Sequence, residues 1–315
     1  MKELLKLQSV KKYFPIKRGM FLKAVDDISF SVKESQVFGL VGESGCGKST
    51  VAKLILNLIE PTGGRILFDN IDVVKSRGKV LSGIRKSLQI IFQDPLASLN
   101  PRKNVIGAIG EALLINNIAK KSEIKAAVVQ LLRKVGLEAD VLYKYPHEFS
   151  GGQRQRICIA RALAVNPKLI VADEPLSALD VSIQAQIINL LDDLQKNSAL
   201  SYVFISHNLH VIEHFSDTVA IMYLGKIVEQ SETEELFKSP LHPYTEALLS
   251  AVPEPEVGKK TKRIVLEGDV PSPVHIPPGC PFHPRCHKRF QPCDNIVPTF
   301  REAEQGRWVS CHLHS

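Results

Sequence analysis

The feature that most constrains the fold of this chain is a glycine-rich segment that lies between an apolar run and a helical pattern. Residues 42–49 read Gly-Glu-Ser-Gly-Cys-Gly-Lys-Ser and fit the pattern G-x-x-x-x-G-K-[ST]. The run Val37–Val41 before it is typical of a buried strand, and Ser49–Ile59 after it has helical spacing. Glycines in such a turn let successive backbone N–H groups point at phosphate oxygens, and the helix N-terminus adds partial positive charge. The sequence therefore predicts an α/β protein that binds nucleotide phosphates.

Two side chains at the end of this loop suit a nucleotide with its magnesium ion. Lys48 can reach the β- and γ-phosphates, and the Ser49 hydroxyl is a ligand for Mg²⁺. Cys46 stands at a variable position of the pattern, so we expect no chemistry from its thiol. The predicted nucleotide-binding loop consists of Gly42, Glu43, Ser44, Gly45, Cys46, Gly47, Lys48, Ser49 and Thr50.

A second group of candidate residues follows another apolar strand. Leu169–Ala172 is continuously apolar and is followed by Asp173 and Glu174. In phosphoryl transfer one carboxylate holds Mg²⁺, usually through its water shell, and another can orient and polarise the attacking water. We assign Asp173 to the first task and Glu174 to the second.

The remaining patterns divide the chain into regions of different character. Ala24–Val32, Ser87–Phe92, Tyr202–Ile205 and Thr218–Met222 are predicted strands, and Val181–Lys196 is a predicted helix between two strands, as in a parallel sheet. Residues 96–165 hold long helical patterns, Val105–Ile118 and Ile124–Val135, and are typical of a helical insertion. Residues 239–300 are rich in proline and are predicted to lack regular structure.

Composition narrows the classes of protein to which the chain can belong. Hydrophobic residues make up 44% and charged residues 23% of the 315 residues, which excludes disordered, collagenous and coiled-coil chains. No apolar run is long enough to span a membrane, and the first residues lack the apolar stretch of a signal peptide. The net charge of +7 suits an anionic partner, but no block of basic residues indicates a nucleic-acid patch.

Four further motifs stand in a fixed order around the loop and the carboxylates. Gln93 ends a strand, Phe149–Gln153 opens a helix, Ser177–Asp180 follows Glu174, and His207 ends another strand. With the glycine-rich loop and the carboxylates, this set resembles the ATP-binding subunits of ABC transporters over about residues 4–238. The resemblance implies a P-loop NTPase core of the ABC ATPase type, with an antiparallel β subdomain and a helical subdomain. The predicted domains are a cassette over 1–238, with its helical subdomain at about 96–165, and a loop-rich extension over 239–315.

Three segments resemble one branch of that family more closely, the ATPases of oligopeptide/dipeptide importers. They are Ile91–Pro101, Tyr145–Phe149 and Ser239–Tyr244, and the likeness is greatest to the second ATPase subunit of such importers. The implied function is ATP hydrolysis that energises import of oligopeptides or dipeptides across the cytoplasmic membrane. An importer of nickel or a related small solute is an open alternative. An ABC ATPase that acts on nucleic acid is disfavoured, because such chains usually have two cassettes or a long coiled coil. A metal-sensing regulator with a vestigial ATPase is disfavoured because every catalytic position is filled.

The resemblance also implies roles for individual residues. Glu174 is the general base, His207 contacts the γ-phosphate, and Gln93 touches Mg²⁺ together with Ser49 and Asp173. The adenine ring stacks on Phe14, with Tyr13 as its neighbour. The signature segment of a second ATPase subunit, here Ser150, Gly151, Gly152 and Gln153, completes the phosphate shell when two subunits close on ATP.

The same resemblance implies a set of partners and a location. The expected partners are a second, homologous ATPase, as a heterodimer or a homodimer, and two membrane permease subunits. The permeases would be contacted near Asp94–Asn104, and an extracytoplasmic peptide-binding protein would take part indirectly. No nucleic-acid partner is expected. The chain would be peripheral, at the cytoplasmic face of the cell membrane.

Four cysteines cluster near the end of the chain, at Cys280, Cys286, Cys293 and Cys311. In a reducing compartment such a cluster suits a metal site more than disulfides. Four thiolates fit either a tetrahedral zinc ion or a 4Fe–4S cluster, and His283, His287 or His312 could replace a thiolate on zinc. The spacing of the cysteines alone does not decide between the zinc ion and the 4Fe–4S cluster. The resemblance to peptide-importer ATPases favours a structural 4Fe–4S cluster that staples the extension, with Zn²⁺ as the alternative.

Overall fold

The computed structural model describes residues 2–17, 19–251 and 263–314. The strands, in chain order, are β1 (Glu3–Lys17), β2 (Met20–Lys33), β3 (Val37–Val41), β4 (Gly63–Phe68), β5 (Ile71–Asp72), β6 (Leu88–Ile91), β7 (Leu169–Asp173), β8 (Ser201–Ser206), β9 (Thr218–Tyr223), β10 (Lys226–Glu232), β11 (Arg301–Glu304) and β12 (Arg307–Val309). The helices are α1 (Lys48–Ile55), α2 (Gly78–Ser87), α3 (Pro95–Ser98), α4 (Val105–Ile115), α5 (Ile124–Lys134), α6 (Gly151–Leu163), α7 (Val181–Ser198), α8 (Leu209–Phe215), α9 (Thr233–Lys238) and α10 (Pro243–Ser250). Short 3₁₀ turns lie at Ala139–Val141, Pro146–Glu148, His283–Arg285 and His312–His314.

The described residues form two compact units. The first comprises residue 2, 33–36 and 75–205, and the second comprises the described parts of 3–32, 37–74 and 206–315. In the first unit β6, β7 and β8 are parallel neighbours in the order β8-β7-β6. All five residues of β7 are buried, which explains its continuous apolar sequence. Helices α3 to α6 of this unit pack on one another and include the predicted helical insertion.

The second unit contains an antiparallel sheet and a mixed one. The antiparallel sheet has the order β2-β1-β4-β5, with Leu5 opposite Phe68. In the mixed arrangement β3 pairs in parallel with β9, and β10, β12 and β11 then add antiparallel partners. The prediction of an α/β fold with an antiparallel sheet and a helical layer is confirmed.

Two helices end earlier than their apolar patterns predict. The pattern Ser49–Ile59 is helical only to Ile55, and the pattern Val105–Ile118 only to Ile115. Asn57 has φ 52° and Asn117 has φ 53°, so both asparagines adopt the left-handed conformation that closes a helix. The Leu58 N–H bonds back to Lys53 and the Ile118 N–H to Leu113, so backbone capping decides both ends.

The proline-rich segment contains a helix that the sequence did not predict. Helix α10 begins at Pro243, and the His242 side chain caps it by accepting the Tyr244 N–H at 3.0 Å. Proline is well suited to the first position of a helix because its missing N–H has no intrahelical acceptor there. The predicted domain boundary at 238 and the helical range 96–165 remain predictions, and Met1, Arg18, 252–262 and Ser315 lie outside the described residues. Within the described part of the chain no helix is long and apolar enough to cross a bilayer.

Candidate nucleotide site

The glycine-rich loop leaves a fully buried strand and enters a helix, as its sequence predicts. All five residues of β3 are buried, and α1 begins at Lys48 with Gly47 as its N-cap residue at φ 111°. A Cβ atom at Gly47 would lie 2.1 Å from the Ala24 carbonyl oxygen, and one at Gly42 would lie 2.2 Å from that of Met222. Only glycine therefore fits at both ends of the loop.

The lysine of the loop is buried and lies across the loop's own backbone. Its Nζ donates to the Gly42 carbonyl at 2.8 Å and to the Glu43 carbonyl at 3.1 Å, and the residue is 4% exposed. Ser49 and Thr50 follow in the first turn of α1. Ser44 and Gly45, at the tip of the loop, are exposed. A buried ammonium beside a helix N-terminus and an open glycine turn fit a polyphosphate with its magnesium ion.

The buried thiol in this loop plays a packing role. Cys46 is 5% exposed, and a Cβ atom on Gly42 would lie 2.7 Å from its Sγ. Burial raises the pKa of Cys46, the opposite of what a reactive thiolate requires. The expectation that Cys46 supplies no chemistry stays a prediction.

Two of the predicted catalytic residues meet in the first unit. The parallel pairing of β6 with β7 sets Ile91 opposite Ala172, so the residues after both strands emerge at one edge. The Gln93 Nε2 donates to Glu174 Oε2 at 3.2 Å. Glu174 has φ 46°, and its N–H donates to the Ile205 carbonyl at 3.0 Å. The half-buried Glu174 carboxylate is therefore positioned by the end of β7, and it accepts a hydrogen bond from the Gln93 amide.

Asp173 and His207 occupy different surroundings. Asp173 is the last residue of β7 and is 7% exposed. His207 follows β8 directly, is exposed, and precedes α8. Both therefore stand at the ends of strands, where side chains can face a ligand.

The signature segment forms a helix start with a complete cap. Ser150 Oγ accepts the Gln153 N–H at 3.4 Å, while Gln153 Oε1 accepts the Ser150 N–H at 3.1 Å. Ser150 and Gly151 are exposed, whereas Gly152 is buried, with Ile183 Cγ2 only 2.6 Å from where its Cβ would lie. The exposed N-terminus of α6 can accept an anion from another molecule.

The two aromatic candidates for adenine stacking differ in their contacts. The Tyr13 hydroxyl bonds to Asp26, and burial followed by this hydrogen bond raises the pKa of Tyr13. Phe14 is half-buried, with the Lys12 ammonium 5.0 Å from its ring centroid. Adjacent residues of a strand face opposite sides, so the two rings cannot both stack on one base.

The prediction of a metal site in the extension is wrong. Cys280, Cys286, Cys293 and Cys311 all lie in described residues and line one cavity of about 10 Å³, which has room for about one water molecule. In the part of the chain that the structure describes, no group of three or more His, Cys, Asp or Glu side chains could hold a metal ion. Burial raises the pKa of Cys280 to about 12 and that of Cys311 to about 11. The 4Fe–4S cluster and its zinc alternative are therefore not supported, and the four thiols are also free of disulfides.

The histidines proposed as replacement ligands make other contacts. His283 Nδ1 lies 2.9 Å from the Cys280 carbonyl, and His312 Nε2 lies 2.8 Å from the Ile296 carbonyl. His287 Nε2 lies 3.4 Å from a Glu246 carboxylate oxygen. In the described part of the extension these three histidines therefore make polar contacts with protein groups.

Sequence reasoning missed two residues of the extension that contact the glycine-rich loop. The Tyr244 hydroxyl accepts the Glu43 N–H at 3.1 Å, and the Arg285 guanidinium pairs with the Glu43 carboxylate at 2.9 and 3.2 Å. Tyr244 ends the segment Ser239–Tyr244 that carried part of the family resemblance, but nothing in that segment pointed to the loop. No local pattern could join residues that are more than 200 positions apart.

Comparison with known proteins agrees with this geometry. Residues 25–177 match the family model described as ABC transporter, and residues 228–293 match that of the oligopeptide/dipeptide transporter C-terminal region. The oligopeptide transport ATP-binding protein AppF of Bacillus subtilis is 51% identical over 99% of this chain and 98% of its own length. The dipeptide transport ATP-binding protein DppF of Escherichia coli is 45% identical over 98% of this chain and 93% of its own length.

Solved structures share the same fold. A dimeric ATP-binding cassette in a post-hydrolysis state, bound to ADP and phosphate, superposes with a TM-score of 0.67 at 28% identity, over 73% of this chain and 99% of that one. The cbiO1 protein of Clostridium perfringens, part of an ABC transporter complex, has the same TM-score and identity over 76% of this chain and 92% of its own. With identity along nearly the whole length of two peptide-transport relatives, the chain belongs to the ATP-binding subunits of the oligopeptide/dipeptide ABC transporters.

Proposed function

We propose that this chain hydrolyses ATP to energise the import of oligopeptides or dipeptides. The observation that carries the proposal is its 51% identity, end to end, with an oligopeptide transport ATP-binding protein. An intact glycine-rich loop supports it, because the loop's buried lysine and its helix N-terminus are the chemistry that binds a nucleotide triphosphate.

The loop would bind the phosphates and the magnesium ion. Lys48 would leave its two carbonyl partners for phosphate oxygens, and backbone N–H groups from Ser44 to Thr50 would bind the remaining oxygens. Ser49 and Asp173 would hold Mg²⁺, the second through water, together with Gln93. The ion would neutralise charge that develops on the phosphates. Phe14 is the proposed adenine contact, because the Tyr13 hydroxyl is already bonded to Asp26.

The carboxylate after β7 would activate water. Glu174 would accept the proton of the attacking water as general base. Gln93 touches this carboxylate at 3.2 Å, so it can keep the carboxylate oriented and respond when nucleotide binds. His207 would contact the γ-phosphate and fix its geometry.

Membership in the family also implies that the chain assembles with other transporter subunits. A transporter ATPase requires permease subunits in the membrane, so the chain would be peripheral, at the cytoplasmic face. We propose that it pairs with a second ATPase, distinct or identical, whose signature segment completes the phosphate shell, and that an extracytoplasmic binding protein delivers the peptide. One solved relative is a dimer bound to ADP and phosphate, which supports paired subunits. The segment around Asp94–Asn104, in which Leu96 and Ala97 are exposed, is the proposed permease contact.

Reconstitution tests the function directly. The chain is purified with its partner ATPase and permeases, placed in liposomes with ATP inside, and supplied with the binding protein and labelled peptides. We expect ATP-dependent peptide uptake that Lys48→Ala abolishes. Uptake of nickel in place of peptides, or ATP hydrolysis stimulated by nucleic acid and not by permeases, would overturn the assignment.

A further inference from the structure

Glu43, the second residue of the glycine-rich loop, is held from three directions. Its carboxylate forms two parallel hydrogen bonds with Arg285, at 2.9 and 3.2 Å. Its N–H donates to the Tyr244 hydroxyl at 3.1 Å. Its carbonyl accepts from Lys48 Nζ at 3.1 Å. One residue thus connects two side chains of the extension with the lysine that would bind phosphate.

The pairing of Glu43 with Arg285 is of the strong kind. Two parallel bonds between a guanidinium and a carboxylate fix both distance and orientation, and charge makes each bond stronger than a neutral one. The Arg285 side chain is 9% exposed and that of Glu43 27%, so solvent screens the pair less than an ordinary surface ion pair. Breaking it would leave an uncompensated carboxylate beside a site for phosphates.

Packing fixes the two residues of the extension in place. Tyr244 is fully buried in α10, with its ring centroid 4.8 Å from that of Tyr223 and 5.3 Å from that of Phe282. Phe282 is 1% exposed, and the Arg285 N–H donates to its carbonyl at 3.0 Å. Aromatic packing of Tyr244 and Phe282 of the extension against Tyr223 of β9 therefore sets where both polar groups meet Glu43.

We infer that Arg285 and Tyr244 are positioning residues for ATP binding. They hold Glu43, and through Glu43 they hold the backbone of the glycine-rich loop that carries Lys48. This inference rests on the proposed ATPase function, because Lys48 contacts a phosphate only if the loop binds nucleotide. The contacts of Arg285 and Tyr244 therefore contribute to the subunit's affinity for nucleotide, in addition to stabilising the extension. Lys48 would leave the Glu43 carbonyl when phosphate binds, but the Glu43 N–H and carboxylate would stay bonded to Tyr244 and Arg285, so the extension still fixes this part of the loop.

The test compares nucleotide affinity with turnover in matched variants. Arg285→Gln removes the charge pair, and Tyr244→Phe removes one hydroxyl while keeping the ring. Arg289→Gln is the control, because Arg289 lies in the same extension but is half-exposed and pairs with Asp294. The Kd for a fluorescent ATP analogue is measured on the full chain, and KM and kcat are measured on the reconstituted transporter. Thermal unfolding of each variant is followed in parallel.

We expect Arg285→Gln to raise both Kd and KM about tenfold, with kcat at saturating ATP within about twofold of wild type. Tyr244→Phe should raise them about fivefold, the amount expected for one hydrogen bond. Arg285→Lys, which keeps the charge but not the paired geometry, should fall between Arg285→Gln and wild type.

Two results would overturn the inference. One is an Arg285→Gln variant whose Kd and KM equal those of Arg289→Gln. The other is a variant that loses kcat and thermal stability while KM is unchanged, because the contact would then serve folding alone. A wild-type chain that neither binds nor hydrolyses ATP would instead refute the proposed function, so the two failures are distinguishable.

Discussion

The buried histidine that caps α10 should make the stability of this protein depend on pH. His242 is 1% exposed, and its Nδ1 accepts the Tyr244 N–H at 3.0 Å, a bond that only the unprotonated nitrogen can make. Burial, with a smaller contribution from His314, lowers the pKa of His242 to about 3. A positive charge is also unfavourable at a helix N-terminus.

The sign and size of the effect follow from proton linkage. In the unfolded chain His242 binds a proton near pH 6.5, whereas in the native protein it does so only near pH 3. The contribution of His242 to the free energy of unfolding is therefore fully present above pH 6.5 and is lost as pH falls. The full loss is about 5 kcal/mol of unfolding free energy, and the part between pH 7 and pH 5 is about 2 kcal/mol. Burial raises the pKa of neighbouring Glu229, which acts in the opposite direction. The informative quantity is therefore a difference between variants.

The variant is His242→Asn, since asparagine also caps a helix but does not titrate. Urea unfolding at pH 7 and pH 5 should show that the wild-type protein loses about 2 kcal/mol more than this variant over the interval. His147→Asn, at an exposed position, is the matched control and should retain the wild-type difference. NMR titration of the imidazole provides a direct check. A native His242 that titrates near pH 6.5, or equal pH dependence in wild type and His242→Asn, would refute the reasoning.

Four further outcomes are expected. Glu174→Gln should keep ATP binding but lower phosphate release in the assembled complex by about 10²–10⁴-fold, because an amide cannot take a proton, whereas Lys48→Ala should weaken binding itself; near-normal hydrolysis by the glutamine variant would remove Glu174 from the base role. The isolated chain should hydrolyse ATP slowly and gain activity with its partner subunits, and equal turnover by dilute monomer would contradict a shared site. Gly42→Ala should cost about 1–3 kcal/mol in a denaturant titration, because its Cβ would lie 2.2 Å from a backbone oxygen, while the control Gly83→Ala meets open space in α2 and should be neutral or stabilising. Phe282→Ala should lower the free energy of unfolding by about 3–5 kcal/mol and make the extension sensitive to protease. A protease pattern like that of wild type would show that aromatic packing does not hold the extension.

Local sequence patterns predicted the parts of this protein that depend on neighbours along the chain. A buried strand, a glycine turn and a helix follow one another at Val37–Ile55, and each is recognisable from its own residues. The start of α6 at the signature segment was predicted for the same reason, although its cap was not. The long strand β1 was missed, because its apolar residues alternate with lysines only near its start. Helix α10 has no clear local signal, because proline usually interrupts helices, whereas Pro243 occupies the first position of this one.

Only the tertiary structure decided which distant side chains meet. Gln93 reaches Glu174 because β6 and β7 pair in parallel in one register, and a different register would separate them. The four cysteines share a small cavity without forming a metal site, since packing and not spacing sets the distances between thiols. Arg285 meets Glu43 across 242 positions of sequence, on a scaffold of buried aromatic rings. The sequence by itself determines local geometry and the family, because both are carried by short contiguous segments. Pairings across the chain are set by long-range packing, which no local pattern encodes.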